Sequence, residues 1–122
     1  MRTVAGIGCR RGVSVEEIEA AVASAVPTGR AIEALATGEA KRSEAGIVAA
    51  GLRLGLPVLF LADAALAAAS TRALSRSARV EALLGLPSLA ETAALAAAGP
   101  GSRLLGPRVA VGNVTCAIAV AE

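Results

Sequence analysis

The stretch RTVAGIGCRRGVSVEE, residues 2–17, contains the clearest information about the fold. Arg2–Ile7 has the composition of a short strand, which ends at Gly8. Ser14 and Glu17 have the three-residue spacing of a capping box, which predicts that a helix begins after Ser14. Apolar residues then recur every three or four positions and form one helix face: Val15, Ile18, Val22 and Val26. A strand followed directly by a helix indicates an α/β domain.

The next part of the chain, up to residue 61, alternates between helix and strand patterns. The sequence predicts, in order, a strand over 30–37, a polar loop over 38–43, a helix over 44–54 and a strand over 58–61. In the helix, we expect Ile47, Val48 and Leu52 to face inward. The helix stop, Leu54-Gly55-Leu56-Pro57, is typical of a Schellman ending. The uninterrupted apolar run Val58-Leu59-Phe60-Leu61 is typical of a buried central strand.

The rest of the chain adds helices and then strands. We expect a weak alanine-rich helix from Asp63, an exposed or mobile polar segment over 70–77, a helix over 77–84, a helix over 88–98, a strand over 103–105 and a hairpin formed by 108–111 and 114–120. Ser88 and Glu91 have the spacing of a second capping box. Gly112-Asn113 is the two-residue turn of the hairpin. These patterns predict a single domain over residues 1–122, with a three-layer α/β/α fold, a mixed sheet and a C-terminal β-hairpin.

The composition excludes several kinds of site. The 122 residues carry a formal net charge of +2, and they include one aromatic residue, Phe60, and no histidine. A stacking surface for single-stranded nucleic acid needs aromatic faces, and the arginines are scattered, so we expect no nucleic-acid partner. Cys9 and Cys116 alone cannot hold zinc, and histidine is absent, so we expect no metal and no cofactor.

The sequence shows no recognisable secretion signal or membrane anchor. Met1 leads directly into the first strand pattern, without the apolar segment and cleavage site of a signal peptide. The most apolar stretch, residues 54–69, contains Gly55, Pro57 and Asp63 and is too short to span a membrane as a helix. We therefore expect a cytoplasmic protein with free thiols and no membrane partner.

The loop Gly6-Ile7-Gly8-Cys9-Arg10-Arg11-Gly12 carries the strongest functional signal. Its glycines allow the backbone to approach a ligand, and it leads into a helix N-terminus, where free N–H groups favour an anion. Arg10 and Arg11 add planar donors suited to carboxylate or phosphate. We predict an anion-binding loop made of Gly8, Cys9, Arg10, Arg11 and Gly12. The alternative is an ordinary turn with two solvated arginines.

A nucleotide site is a competing interpretation of this loop. The dinucleotide fingerprint is G-x-G-x-x-G, and the spacing from Gly8 to Gly12 is one residue too long. Cys9 also has two interpretations. Two neighbouring arginines and a nearby helix start would lower a thiol pKa and make a reactive thiolate. The alternative, an unreactive small residue in a tight turn, is favoured by the lack of a histidine base.

Five more residues are candidates for the site. Lys41, the only lysine, and Glu44 are spaced to form an ion pair at a helix start, and the alternative is a solvated loop pair. Ser88 and Glu91 are most simply a helix cap, which also marks a second potential anion site. Thr115 and Cys116 are consecutive residues of the last strand, so one of the two side chains faces the core and the other faces away.

Four elements of the chain resemble those of one known family, and they occur in the same order. These elements are the loop GIGCRRG with its Ser14 helix start, Lys41-Arg42-Ser43-Glu44, the helix that begins Gly85-Leu86-Pro87-Ser88, and the strand Gly112–Ala119. In them, the chain resembles the CobE family and the C-terminal domain of CbiG, which are proteins of cobalamin biosynthesis. It departs from the family pattern at Arg108, where the family has lysine, and at Asn113, where the family has a second glycine.

The resemblance implies a role in corrin-ring assembly, with a corrinoid or precorrin intermediate as ligand and other enzymes of ring assembly as partners. A CobE-like protein is expected to bind such an intermediate, whose acetate and propionate carboxylates suit an arginine-rich loop. The resemblance also implies a catalytic alternative, because full-length CbiG is similar to a cobalt-precorrin-5A hydrolase, which opens a ring lactone and releases acetaldehyde. A small nucleotide-binding module is the alternative from another class.

Overall fold

One mixed sheet of six strands lies between two layers of helices in the computed structural model, which describes residues 2–122. Helices α1 and α2 cover one face, and α3, α4 and α5 cover the other, so the predicted three-layer α/β fold is confirmed. The elements, in chain order, are β1 (Arg2–Cys9), α1 (Val15–Ala25), β2 (Ala34–Gly38), α2 (Ala45–Leu54), β3 (Val58–Leu61), α3 (Asp63–Ala69), α4 (Ala78–Leu84), α5 (Leu89–Ala98), β4 (Arg103–Leu104), β5 (Val109–Val111) and β6 (Val114–Ala121).

The sheet has the strand order β3-β2-β1-β6-β4, and β5 also pairs with β6. Strands β1, β2 and β3 are parallel, whereas β6 runs antiparallel to β1, from the pair Arg2–Ala121 to the pair Cys9–Val114. β5 and β6 pair antiparallel across the turn at Gly112-Asn113, which confirms the predicted hairpin. The carboxyl ends of the three parallel strands therefore meet the start of β6 at one edge of the sheet, which we call the carboxyl edge.

The central strand β1 places a glycine directly against α5. Gly6 faces this helix, whereas its neighbours Ala5 and Ile7 face α1 and α2. A Cβ at Gly6 would overlap the backbone oxygen of Ala90 and would lie 2.7 Å from the backbone nitrogen of Ala94. Only a glycine therefore allows α5 to lie this close to the sheet.

Local hydrogen bonds set the helix ends that the sequence predicted. Ser14 Oγ accepts from Glu17 N–H at 3.1 Å and Glu17 Oε1 accepts from Ser14 N–H at 3.2 Å, which confirms the first capping box. Gly55 adopts a left-handed φ of 69°, and Leu56 N–H donates to Gly51 O at 2.9 Å. These two features confirm the Schellman ending of α2.

Two predictions about apolar segments are wrong. β3 is an outermost strand of the sheet rather than a central one, and its four residues are only half-buried. Val48 and Leu52 point outward, with 44% and 80% of their surface exposed, although Ile47 is buried as expected. The reason is that α2 packs on the sheet through its small residues Ala50 and Gly51, which turns the two larger side chains away.

Other boundaries differ because of local turns. β2 begins at Ala34, later than predicted, and a hydrogen-bonded turn that ends at Arg30 lies ahead of it. The predicted polar loop over 38–43 contains a 3₁₀ turn, Glu39–Lys41. The segment 70–77 also contains a 3₁₀ turn, and it is anchored to the protein because Arg72 Nη1 donates to Ser102 O at 2.6 Å.

No single helix within residues 2–122 has the length and apolar composition needed to cross a membrane. α4 and α5 meet those criteria only as a pair, and they are bent by 65° at the break between them.

The close contact of β1 with α5 predicts a large effect of a single methyl group. Gly6→Ala should lower the free energy of unfolding by about 3 kcal/mol, since the new Cβ overlaps backbone that cannot rotate away. Urea unfolding followed by circular dichroism measures this. Gly106→Ala is the matched control, because a Cβ there meets nothing within 4 Å, and it should change stability by less than about 0.5 kcal/mol. Equal stability of the two variants would contradict the packing described.

Candidate functional site

The carboxyl edge of the sheet carries a cleft of about 620 Å³. Four parts of the chain line it: the end of β1 with the loop after it, the turn after β2, helix α4 with the first residue of α5, and the segment around the hairpin turn. These parts are far apart in the sequence, so only the folded chain brings them together.

Within the described part of the chain, five basic side chains and no carboxylate line this cleft, which we call the basic cleft: Arg10, Arg11, Lys41, Arg79 and Arg108. None of the five forms an ion pair among residues 2–122, whereas five other arginines do. Unpaired cations that converge in a concave site focus a positive potential there. The basic cleft is therefore suited to a ligand with several anionic groups.

The basic cleft also has an apolar wall. Val80, Leu83 and Leu84 of α4 line it together with Leu89 of α5 and Val114 of β6. Leu83 and Leu84 are 68% and 42% exposed, so these side chains are available for contact. A lining that combines cations with apolar side chains suits a ligand with an apolar body and anionic groups at its periphery.

Two side chains from the turn after β2 hold the loop between β1 and α1. Lys41 Nζ donates to Cys9 O at 2.8 Å, and Gly12 N–H donates to Glu44 Oε2 at 3.2 Å. The expected ion pair between Lys41 and Glu44 is therefore wrong, because each side chain has a backbone partner in the loop instead. Gly12 has a left-handed φ of 76°, which permits the turn between these two anchoring points.

The N–H groups of this loop are largely occupied within the protein. Besides the Gly12 N–H, the Arg10 N–H donates to Asn113 O at 3.1 Å. Backbone hydrogen bonds from Ser14 and Asn113 hold the pKa of the Glu17 carboxyl below its ordinary value, so the capping carboxylate stays ionised. We expected open N–H groups at the start of α1 to favour an anion. The Ser14 hydroxyl caps Glu17 N–H, and the carboxylates of Glu17 and Glu44 lie beside the helix start, where they accept from Ser14 and Gly12 N–H. The full positive charges offered to a ligand therefore come from side chains.

A second cleft, of about 510 Å³, adjoins the basic cleft. The two clefts have in common Arg11, Lys41, Leu83, Leu84 and Leu89. The lining of the second cleft also includes the carboxylates of Glu44 and Asp63. It therefore has mixed charge, unlike the basic cleft.

Ser88 and Glu91 lie in the interior and line neither cleft. Both are fully buried. Ser88 Oγ accepts from Glu91 N–H at 3.4 Å, but the expected return bond is absent, so the second capping box is only half correct. Glu91 Oε1 instead accepts from the N–H groups of Leu74 and Ser75 at 2.9 and 2.7 Å, and Oε2 accepts from Arg108 N–H at 2.9 Å. The buried carboxylate thus fastens segments on both sides of the basic cleft.

Thr115 lies at the base of the basic cleft, where its Oγ1 donates to Gly8 O at 3.3 Å. Its neighbour Cys116 is fully buried, as the predicted alternation requires. Gly8 is buried beneath this contact, and a Cβ there would lie 2.7 Å from Thr115 Oγ1. The glycine therefore lets β1 and β6 form a flat base for the cleft.

The basic cleft brings together six of the ten predicted site residues: Gly8, Cys9, Arg10, Arg11, Lys41 and Thr115. Gly12 and Glu44 contact each other beside it. Sequence reasoning missed Arg79 and Arg108 because neither stands in a motif with a chemical pattern of its own. The available signal for Arg108 was its position, where the resembling family carries another basic residue.

The surroundings of Cys9 disfavour its thiolate form. Burial raises its pKa and outweighs the nearby Lys41, which acts in the opposite direction. Burial also raises the pKa of Cys116 to about 12, and both cysteines are free. For Cys9, this direction disfavours the reactive-thiolate interpretation and favours an unreactive residue. Within residues 2–122, no group of three or more His, Cys, Asp or Glu side chains is arranged to hold a metal ion.

The fold and the site define an α/β domain that presents unpaired cations and an apolar wall at the carboxyl edge of its sheet. The sequence model of the family described as "Cobalamin synthesis G C-terminus" matches residues 3–119. The chain therefore belongs to this family of cobalamin biosynthesis proteins.

A curated relative and two solved structures agree with this assignment. Protein CobE of a Sinorhizobium species is 32% identical over 120 residues, which cover 95% of this chain and 78% of that protein. The crystal structure of CobE, a protein from the cobalamin (vitamin B12) biosynthetic pathway, matches with a TM-score of 0.92 and 38% identity, over 99% of this chain and 91% of that one. The crystal structure of the cobalamin biosynthesis protein chiG from Agrobacterium tumefaciens matches with a TM-score of 0.79 and 41% identity, over 98% of both chains. The chain is a cobalamin biosynthesis protein of the CobE/CbiG type.

The three hydrogen bonds to Glu91 predict that an uncharged isostere is destabilising. In Glu91→Gln, one carboxylate oxygen becomes an NH₂ group, which faces a backbone N–H donor instead of accepting from it. The free energy of unfolding, measured in urea, should fall by about 2–3 kcal/mol. Hydrogen exchange at the amides of Leu74, Ser75 and Arg108 should accelerate. Glu81→Gln, which changes an exposed carboxylate on α4, should leave both measurements nearly unchanged.

The raised thiol pKa values predict slow alkylation. At neutral pH, iodoacetamide should modify Cys9 more slowly than it modifies free cysteine, because the thiolate is the reacting form and burial disfavours it. Cys116 should react only after unfolding. Mass spectrometry over a pH series measures both rates, with Cys9→Ser as the control that isolates Cys116. A Cys9 rate that is already maximal at neutral pH would contradict the structure.

Proposed function

We propose that this chain binds a corrinoid or precorrin intermediate in the basic cleft during corrin-ring assembly. The observation that carries the proposal is the convergence of five unpaired cations with an apolar wall in one cleft. Such an intermediate has an apolar ring bordered by acetate and propionate carboxylates. Arginine can bind a carboxylate through two parallel hydrogen bonds, and it stays charged at every relevant pH. Membership in a cobalamin biosynthesis family supports this class of ligand over other polyanions.

Within this proposal, the residues of the site have different tasks. Arg10 and Arg11 pair with carboxylates of the ligand, while Gly8 and Thr115 form the base of the cleft. Lys41 and Glu44 hold the loop that carries the two arginines, through its backbone at Cys9 and Gly12. Ser88 and Glu91 support the cleft from the interior and do not touch the ligand.

We propose binding rather than lactone hydrolysis as the role of this chain on its own. Hydrolysis needs a base that activates water, and the described lining of the basic cleft includes neither a carboxylate nor a histidine. Glu44, in the adjoining cleft, already accepts from Gly12 N–H. A nucleotide is also disfavoured, because the glycine spacing does not match the dinucleotide fingerprint and two of the loop amides, those of Arg10 and Gly12, are already engaged within the protein. Acetaldehyde release from cobalt-precorrin-5A by the purified chain, alone or with partner enzymes, would instead assign the catalytic role.

We further propose that the chain works in the cytoplasm, where other enzymes of corrin-ring assembly are its partners. The cysteines Cys9 and Cys116 are both free thiols, which fits a reducing compartment.

Direct titration tests the proposed site. Hydrogenobyrinic acid, a corrinoid that carries free carboxylates, should bind the wild-type chain in isothermal titration calorimetry. The double variant Arg10→Ala/Arg11→Ala should bind about 100-fold more weakly, since a hydrogen bond to a charged group contributes about 1.5 kcal/mol at the low end of its range and 1.4 kcal/mol is a factor of ten. Affinity should also fall as salt is added, because the contacts are ionic.

The control for this titration removes the same amount of charge elsewhere. Arg30→Ala/Arg103→Ala deletes two arginines that lie near Glu122, outside the basic cleft, and it should bind like the wild type. If both double variants lose affinity equally, the loop is not the site. If the wild type binds no corrinoid, the proposed function itself is wrong.

A further inference from the structure

Unlike α1, α2, α3 and α5, helix α4 contains no fully buried residue, and its larger apolar side chains face a cleft. Arg79, Val80, Leu83 and Leu84 lie on one side of the helix, and all four line the basic cleft. None of the residues of α4 is fully buried, and Leu83 is 68% exposed. Of its apolar residues, only Val80 packs against the buried core below the helix. The two leucines therefore contribute little to the core.

The ends of α4 are fixed although its cleft-facing side is open. Ser77 N–H donates to Pro87 O at 2.8 Å and closes the base of the segment that carries the helix. Ser77 Oγ caps the helix by accepting from Val80 N–H at 3.3 Å, and Gly85 ends it with a left-handed φ of 70°. The helix is thus held at a defined place beside the cleft, which allows its leucines to act as a preformed surface.

We propose that Leu83 and Leu84 form an apolar platform that packs against the flat face of the ligand's ring, while the cations of the cleft bind its peripheral carboxylates. This inference rests on the proposed function and goes beyond it by assigning contact with the face of the ring to two residues of the apolar wall. Both leucines also line the adjoining cleft, so the platform lies where the two clefts meet. A ring that covers the platform therefore extends beyond the basic cleft, and the carboxylates on the side of the basic cleft face its cations.

The combination of charges and apolar surface favours this occupant over a protein partner. The platform is not an isolated exposed patch, because Arg79 lies one helical turn before Leu83 on the same side and faces the same cleft. A ligand that covers the leucines therefore also meets unpaired cations. A broad ring with carboxylates at its edge satisfies both requirements in a single molecule.

Leu83→Ser tests the platform. Affinity for hydrogenobyrinic acid should fall about tenfold, because a leucine that becomes covered by ligand loses most of its water-exposed apolar surface. The dependence of affinity on salt should stay the same as in the wild type, since no charge is removed. The Arg10→Ala/Arg11→Ala variant should instead lose affinity and show a weaker salt dependence, because three of the five cations remain. Leu83→Met, which restores apolar surface, should bind nearly as tightly as the wild type.

Leu52→Ser is the matched control, because Leu52 is a more exposed leucine on α2 and lines neither cleft. It should bind like the wild type. If the wild type binds and Leu83→Ser binds equally well, the platform is wrong while the proposed function stands. If Leu83→Ser keeps its affinity but sediments differently from the wild-type chain, a second copy of the protein is the occupant and the proposal is overturned. If the wild-type chain itself does not bind hydrogenobyrinic acid, the proposed function is wrong, which is a different outcome from failure of the platform alone.

Discussion

The contact between α5 and the central strand β1 is the constraint on which the rest of the structure depends. A side chain at Gly6 would occupy the same space as the backbone of Ala90, so the helix and the sheet are in backbone contact there. This closeness accounts for the alanine-rich composition of α5, since small residues allow the approach. The same geometry places the start of the helix, at Leu89, beside Gly8 in the base of the cleft. The same contact therefore determines both how the core packs and where the base of the cleft lies.

Glu91 transmits this constraint from the core to the cleft. It belongs to the helix that β1 holds in place, and its buried carboxylate accepts from backbone N–H groups at Leu74, Ser75 and Arg108. A buried charge is costly unless its hydrogen-bonding capacity is satisfied, and three short bonds satisfy it here. The segment before α4 and the segment before β5 are consequently fixed relative to α5. The two cations of the cleft that the sequence did not reveal depend on these anchors, because Arg108 is itself anchored and Arg79, on α4, follows the anchored Ser75.

Local chemistry made part of this arrangement predictable. The capping box at Ser14, the helix stop at Gly55 and the hairpin turn at Gly112-Asn113 each depend on neighbours in sequence, so the residues alone determined them. The inward face of α2 was not predictable in the same way. Val48 and Leu52 are more apolar than Ala50 and Gly51, yet the smaller pair faces the sheet, because the space available to a helix is a property of the assembled fold.

The candidate site shows the same limit. The sequence identified the arginine loop, but it paired Lys41 with Glu44, whereas each side chain instead holds one end of that loop. This difference changes the chemistry of the site. Since Asn113, Glu44 and Glu17 accept from the N–H groups of Arg10, Gly12 and Ser14, these backbone contacts make the loop rigid, and the side chains supply its full charges. Five unpaired cations in one cleft repel one another and disfavour the empty state. A ligand that brings several carboxylates relieves this repulsion without rearranging the backbone, so binding should stabilise the fold as well as the ligand's orientation.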